Sequence, residues 1–122
     1  MERLTQPEED TLRVLWLLPA GGFVKDVLDA LPAPRPPYPT LASTLRNLER
    51  KGYVRAEKLG NSYRFVPVVT ADDYQRRSLG TLVQHHFQNS YKDLVSFFAQ
   101  EEKISAADLQ EIIRLIESKK EH

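Results

Sequence analysis

Cysteine is absent from the 122 residues, which removes disulfides, thiolate metal sites and cysteine nucleophiles together. Net charge is absent as well: 17 Lys and Arg balance 17 Asp and Glu, so no global field draws the chain to nucleic acid or to a membrane surface. No apolar run approaches the roughly 20 residues that span a bilayer, and the N-terminal MERLTQPEED has no hydrophobic signal stretch. The expectation is a soluble, cytoplasmic protein with no membrane partner. Glycine is scarce, with five residues, and there is no Gly-rich phosphate loop, nucleophile elbow or metalloprotease signature. Of the three histidines, His85 and His86 are adjacent and would point roughly 100° apart on a helix, and His122 stands apart, so no ligand set forms. Asp72-Asp73 and Glu101-Glu102 fit helix-terminal charges better than a catalytic pair. No residue is therefore put forward as catalytic, metal-binding or cofactor-binding, and the chain is read as a non-enzyme.

What is present is uneven. From Arg46 to Arg64 six basic residues (Arg46, Arg50, Lys51, Arg55, Lys58, Arg64) face only Glu49 and Glu57, whereas from Ala71 onward acids outnumber bases nine to seven. A basic segment inside a neutral chain is what a protein shows when one surface meets phosphate and another does something else.

The order of elements sharpens this. Thr5, with Pro7 and Glu8 after it, reads as a helix start, and the helix carries Leu12, Val14, Leu15, Trp16 and Leu18. Gly21-Gly22 breaks the chain, Phe23 is expected as a short strand residue, and Val24, Val27, Leu28 and Leu31 follow at helical spacing. The proline-rich PAPRPPYP is a stiff connector that delivers the chain into a third helix over Thr40 to Lys51. Gly52 suits a left-handed helix end. Gly60-Asn61 separates two strand-length segments, so a two-stranded hairpin is expected.

On the third helix, Leu41, Leu45 and Leu48 share one face, and Ser43, Arg46, Asn47 and Arg50 the other. An ordinary amphipathic helix would show the same separation. A solvated face, though, more often carries Glu and Lys pairs, whereas hydroxyl, amide and guanidinium groups hydrogen-bond base edges and phosphates. With a short second helix before it and a basic hairpin after it, the arrangement is a winged helix-turn-helix whose third helix enters the major groove. Lys51 joins the contact set from the basic segment, and Lys58, Tyr63 and Arg64 from the wing. Alternation puts Tyr63 and Phe65 on one hairpin face, so at least one of these rings is expected to be structural.

After Pro67 the character changes to helices. Thr70 with Asp73 and Ser105 with Asp108 are capping signals, and Ser90-Tyr91 restarts a segment between them. Each helix that follows has a wide apolar face: Leu79, Val83 and Phe87 in the first, Leu94 and Phe98 in the second, and Leu109, Ile112, Ile113 and Ile116 in the third. Three such helices in about 50 residues are too few to enclose a core, so these residues are expected to pack against a second copy of the chain. The fold class is mainly α, an α+β winged helix over residues 1–69 with a C-terminal helical dimerisation domain over 70–122.

Four stretches together resemble the penicillinase repressor family of transcription regulators: LTQPEEDTLRVLW at Leu4 to Trp16, YPTLASTLRNLERKGYV from Tyr38, the strand end YRFVP, and SYKDLVSFFAQEEKISAADLQEI at Ser90 to Ile112. The resemblance implies a homodimeric repressor on an inverted-repeat operator in double-stranded DNA, controlling antibiotic-resistance or stress genes. It adds Thr40 and Thr44 to the recognition-helix positions. In β-lactam-responsive members a sensor-controlled protease cuts between an Asn and a Phe that align with Phe97 and Phe98, which makes such a protease a further expected partner. Here Phe97 stands in place of that Asn. The C-terminal cysteine motifs of copper-responsive members are missing. Two other functions fit the same elements: a winged helix that meets protein instead of DNA, and a small-molecule-responsive regulator with Trp16, Tyr74 or Phe87 as ligand walls.

Overall fold

The computed structural model describes residues 2–120. Its elements run α1 (Gln6–Leu17), α2 (Val24–Ala30), α3 (Tyr38–Arg50), β1 (Val54–Leu59), β2 (Ser62–Pro67), α4 (Ala71–Phe87), α5 (Tyr91–Gln100) and α6 (Ala106–Lys120). The order of three helices and a two-stranded antiparallel hairpin is that of a winged helix, and helices alone follow it. The chain divides into two compact units, one ending at Gln75 and the other beginning at Arg76.

Local chemistry sets the helix ends. The Thr5 hydroxyl accepts from the Glu8 backbone N–H at 3.3 Å, and the Glu8 carboxylate accepts from the Thr5 N–H at 2.9 Å, a reciprocal cap that satisfies two otherwise orphan donors. Thr5→Ala should cost about 1 kcal/mol of stability, measurable by urea denaturation. At the other end of α3, Gly52 adopts φ 88°. Its N–H donates to Glu49 and the Tyr53 N–H to Leu48, both at 3.0 Å, which turns the chain off the helix into β1.

The first unit has one core. Leu12 and Leu15 of α1, Val27 of α2, Leu41, Leu45 and Leu48 of α3, and Val54 and Phe65 of the hairpin are all buried. The apolar stripe of α3 is thus the face that fixes the helix, and its other face is left outward. Trp16 packs against this core, donates its indole N–H to the Val69 carbonyl at 2.8 Å and lies 5.7 Å from the Tyr74 ring, centroid to centroid. Tyr74 in turn donates its hydroxyl to Glu9 at 3.0 Å. Core packing therefore accounts for Trp16 and Tyr74, which the sequence also offered as ligand walls. Their contacts carry the first unit past Val69, where the sequence reading ended the domain, to Gln75.

β1 and β2 pair in the register Lys58↔Tyr63, Glu57↔Arg64 and Ala56↔Phe65, with Gly60 and Asn61 at the turn. The short strand expected at Phe23 forms one residue earlier. Gly22 donates to the Phe65 carbonyl at 3.0 Å and accepts from the Phe65 N–H at 2.8 Å, while Phe23 caps α2. Gly21 makes that approach possible. Its φ is 76°, and a Cβ there would sit 2.3 Å from the Phe65 carbonyl oxygen.

In the second unit the Asp93 N–H donates to the Ser90 hydroxyl at 3.1 Å, capping α5, and Ser105 and Asp108 cap α6 reciprocally at 3.1 and 3.0 Å. The Ser105 backbone N–H, followed by its hydroxyl, holds the Asp108 carboxyl below its usual range. Among the described residues from Arg76 on, Val83 alone among the apolar side chains is buried. Phe87, Leu94 and Leu109 are half-buried. Leu79, Phe97, Phe98, Ile112, Ile113, Leu115 and Ile116 are exposed.

Candidate nucleic-acid interface

The outward face of α3 forms as the helical period requires. Thr40, Ser43, Arg46, Asn47 and Arg50 are exposed, and the leucines behind them are buried. Thr44 is half-buried and turns its hydroxyl onto the Thr40 carbonyl at 3.0 Å, which engages its proton within the helix. Arg50 reaches Glu2 at 3.3 Å with both side chains 60% exposed, an ion pair weak enough for a phosphate to displace.

Arg46 is held from two sides. Its guanidinium carbon lies 4.4 Å from the centre of the Tyr63 ring and 5.3 Å from that of Phe65, and its Nη1 donates to Glu49 at 2.9 Å. Of the two aromatics expected on one hairpin face, Phe65 is buried in the core and Tyr63 remains partly exposed beneath Arg46.

The hairpin separates its charges by face. Directly paired residues share a side, so Lys58 lies with Tyr63 and Phe65, the side that meets Arg46 of α3. Arg64 lies with Glu57 on the opposite side. There Glu57 accepts from Arg64 at 2.7 Å and from Arg55 at 2.6 Å. The hydrogen bond from Arg64 first, then the two positive charges, hold the Glu57 carboxyl below its usual range against some desolvation. Arg64, expected as a wing contact beside α3, is therefore turned away from the α3 stripe and paired. Lys58 makes no ion pair among the described residues.

Lys51 departs furthest from the sequence reading, which placed it among the DNA contacts. Its side chain is 8% exposed and donates to Glu8, itself 5% exposed, at 2.6 Å, and to the Arg3 carbonyl at 3.0 Å. It fastens the end of α3 to the start of α1 and has no surface to offer a phosphate.

The structure also brings in residues that sequence reasoning missed. Lys25 and Tyr38 line a cleft of about 270 Å³ with Arg46, Asn61, Ser62 and Tyr63. Neither has a spacing that marks it. Lys25 joins the site only because α2 packs on α3, and Tyr38 only because α3 begins two residues before the expected Thr40. Among the described residues no group of three or more His, Asp or Glu side chains could hold a metal ion. No helix there is long and apolar enough to cross a membrane.

A search of curated proteins returns no match. The family model described as penicillinase repressor matches residues 4–118, a span that takes in the capped α1, the α3 stripe, the hairpin and nearly all of the C-terminal helices. The chain belongs to the penicillinase repressor family of transcriptional repressors.

Proposed function

We propose that the protein is a sequence-specific, cytoplasmic repressor that binds an inverted-repeat operator as a homodimer and does no chemistry of its own. The observation that carries this is the outward stripe of Ser43, Arg46, Asn47 and Arg50 on a helix whose other face is core. Such a helix is rigidly backed and free to enter a major groove. Ser43, Asn47 and Arg46 are the base readers; Arg50, Lys58 and Lys25 meet phosphates. Thr40 and Tyr63 border this set.

The dimer rests on the second unit. Leu79, Phe98, Ile112, Ile113 and Ile116 are exposed, and apolar surface on this scale in helices with one buried apolar side chain is covered by a symmetric partner in a homodimer. Two copies then place two third helices in successive major grooves, which is what an inverted repeat requires. Occupying a promoter in that way blocks transcription initiation.

Phe97 and Phe98 lie inside α5, where a protease needs local opening before it can cut, and Phe97 replaces the asparagine of the cleaved family members. Operator binding by α3 requires no cleavage at that bond.

Asn47→Ala should weaken binding by about 1–3 kcal/mol on the preferred site and little on random DNA. Arg50→Ala should weaken binding to both and lower the salt slope by about 1. Titrations on a selected site and a random duplex at several salt concentrations check the division of labour. Equal losses on both duplexes for both variants would overturn it.

A further inference from the structure

Within the α3 stripe, Arg46 meets the wing. Its guanidinium lies over Tyr63 and Phe65 at 4.4 and 5.3 Å, and Glu49, one turn along the same helix, takes the Nη1 donor at 2.9 Å. Stacking uses the flat face of a guanidinium and none of its five N–H donors. The Glu49 bond uses the Nη1 end. The two ring contacts and the Glu49 bond thus restrain the group, and its Nη2 and Nε have no hydrogen-bond partner among the described residues. Phe65 is 2% exposed and bonds Gly22 through both its N–H and its carbonyl, so it ties the platform under Arg46 to the core, while Tyr63, 37% exposed, covers the outer side.

Bidentate recognition of a base edge is favoured by a guanidinium restrained in this way, and the commonest base so read by arginine is guanine, through O6 and N7. An unsupported arginine would lose rotamer freedom on binding, a cost that an already oriented one largely avoids. We propose that Arg46 reads one guanine in each operator half-site, and that Tyr63 is a positioning residue that sets the plane of Arg46 and does not itself serve as a phosphate contact. This rests on the operator-binding reading above and deepens it, assigning the wing a part in specificity through α3. Glu49 acts in the same sense, closing the Nη1 end so that only one edge is presented.

The test uses the full chain on its own selected site, on the same site with each base pair replaced in turn, and on a random duplex. For Arg46→Ala the discrimination at one guanine per half-site should fall by about tenfold or more, with the other positions still read. Tyr63→Leu should lose about threefold in discrimination at that same guanine, a larger loss there than on random duplex; Tyr63→Phe, which keeps the ring, should retain the discrimination. A Tyr63→Leu variant that weakens binding equally on every duplex would make Tyr63 a backbone contact and overturn the proposal. So would one that leaves discrimination at the Arg46 guanine intact. In both cases a wild-type chain that still prefers its site leaves operator binding standing. A wild type with no preference among duplexes would overturn operator binding along with this inference.

Discussion

Replacing Lys51 by Ala is expected to lower stability by about 3 kcal/mol, roughly 15 °C in melting temperature for a unit of this size, although Lys51 lies in the most basic stretch of the chain. The cause is the partner left behind. Glu8 and Lys51 are 5% and 8% exposed at the side chain and 2.6 Å apart, so removing the cation strands a buried carboxylate. Burial pushes the Glu8 carboxyl up, but the hydrogen bond from Lys51, the Thr5 backbone N–H and the Lys51 charge outweigh it and leave it below the ordinary 4.5. A carboxyl lowered by folding contributes stability that is complete above about pH 4.5 and is lost as pH falls through the folded value. The gap between wild type and Lys51→Ala should therefore be widest near neutral pH and narrow below pH 4.5, where protonation relieves the stranded charge. Glu8→Gln with Lys51→Met should recover part of the loss, because the neutral amide still accepts from the Thr5 N–H and no charge is left buried. Urea denaturation at pH 7 and pH 4 reads all of this, and a Lys51→Ala protein as stable as wild type at pH 7 would contradict it.

The second large effect is expected from charging α6. Ile112 and Ile116 are 40% and 52% exposed and one turn apart, so Glu at both puts two charges on the surface that the proposal assigns to the partner copy. The variant should sediment as a monomer at micromolar concentration and keep its helix content, since Glu is a good helix former. Its affinity for the full inverted repeat should fall by about 100-fold, the usual advantage of linking two binding modules, while binding to an isolated half-site stays near wild type. A dimer that survives both charges would place the interface elsewhere.

The stripe of exposed isoleucines on α6, the leucine face of α3 and the Thr5 and Ser105 caps are local patterns. Each depends on residues three or four apart, and each appears in the structure. Gly60-Asn61 likewise separates two strands that match in length. Local sequence does not place Lys51, because its partner Glu8 is 43 residues away and counting charge along the chain does not distinguish an exposed cation from a paired one. The same holds for Arg64 and Arg55, which converge on Glu57 on the hairpin side away from α3. Much of the local basic excess is therefore engaged, and Lys58 and Lys25 are the cations of this surface without an ion pair among the described residues. The stacking of Arg46 on Tyr63 needed the wing to fold back on α3, a tertiary event with no sequence period. The Gly22 bridge to Phe65 is of the same kind, and it displaced the expected strand from Phe23 by one residue because Gly21 alone tolerates the approach.

Under the proposed function, two copies of this chain read one inverted repeat through α3. The most direct measurement is selection of bound duplexes from random DNA, followed by sedimentation of the protein on the best selected duplex. The selected pool should hold an inverted repeat with half-site centres about one or more helical turns apart, bound by two chains per duplex with a preference of at least about 10³ over random DNA at physiological salt. One chain per duplex, or a selected pool with no repeat and no preference, would contradict it.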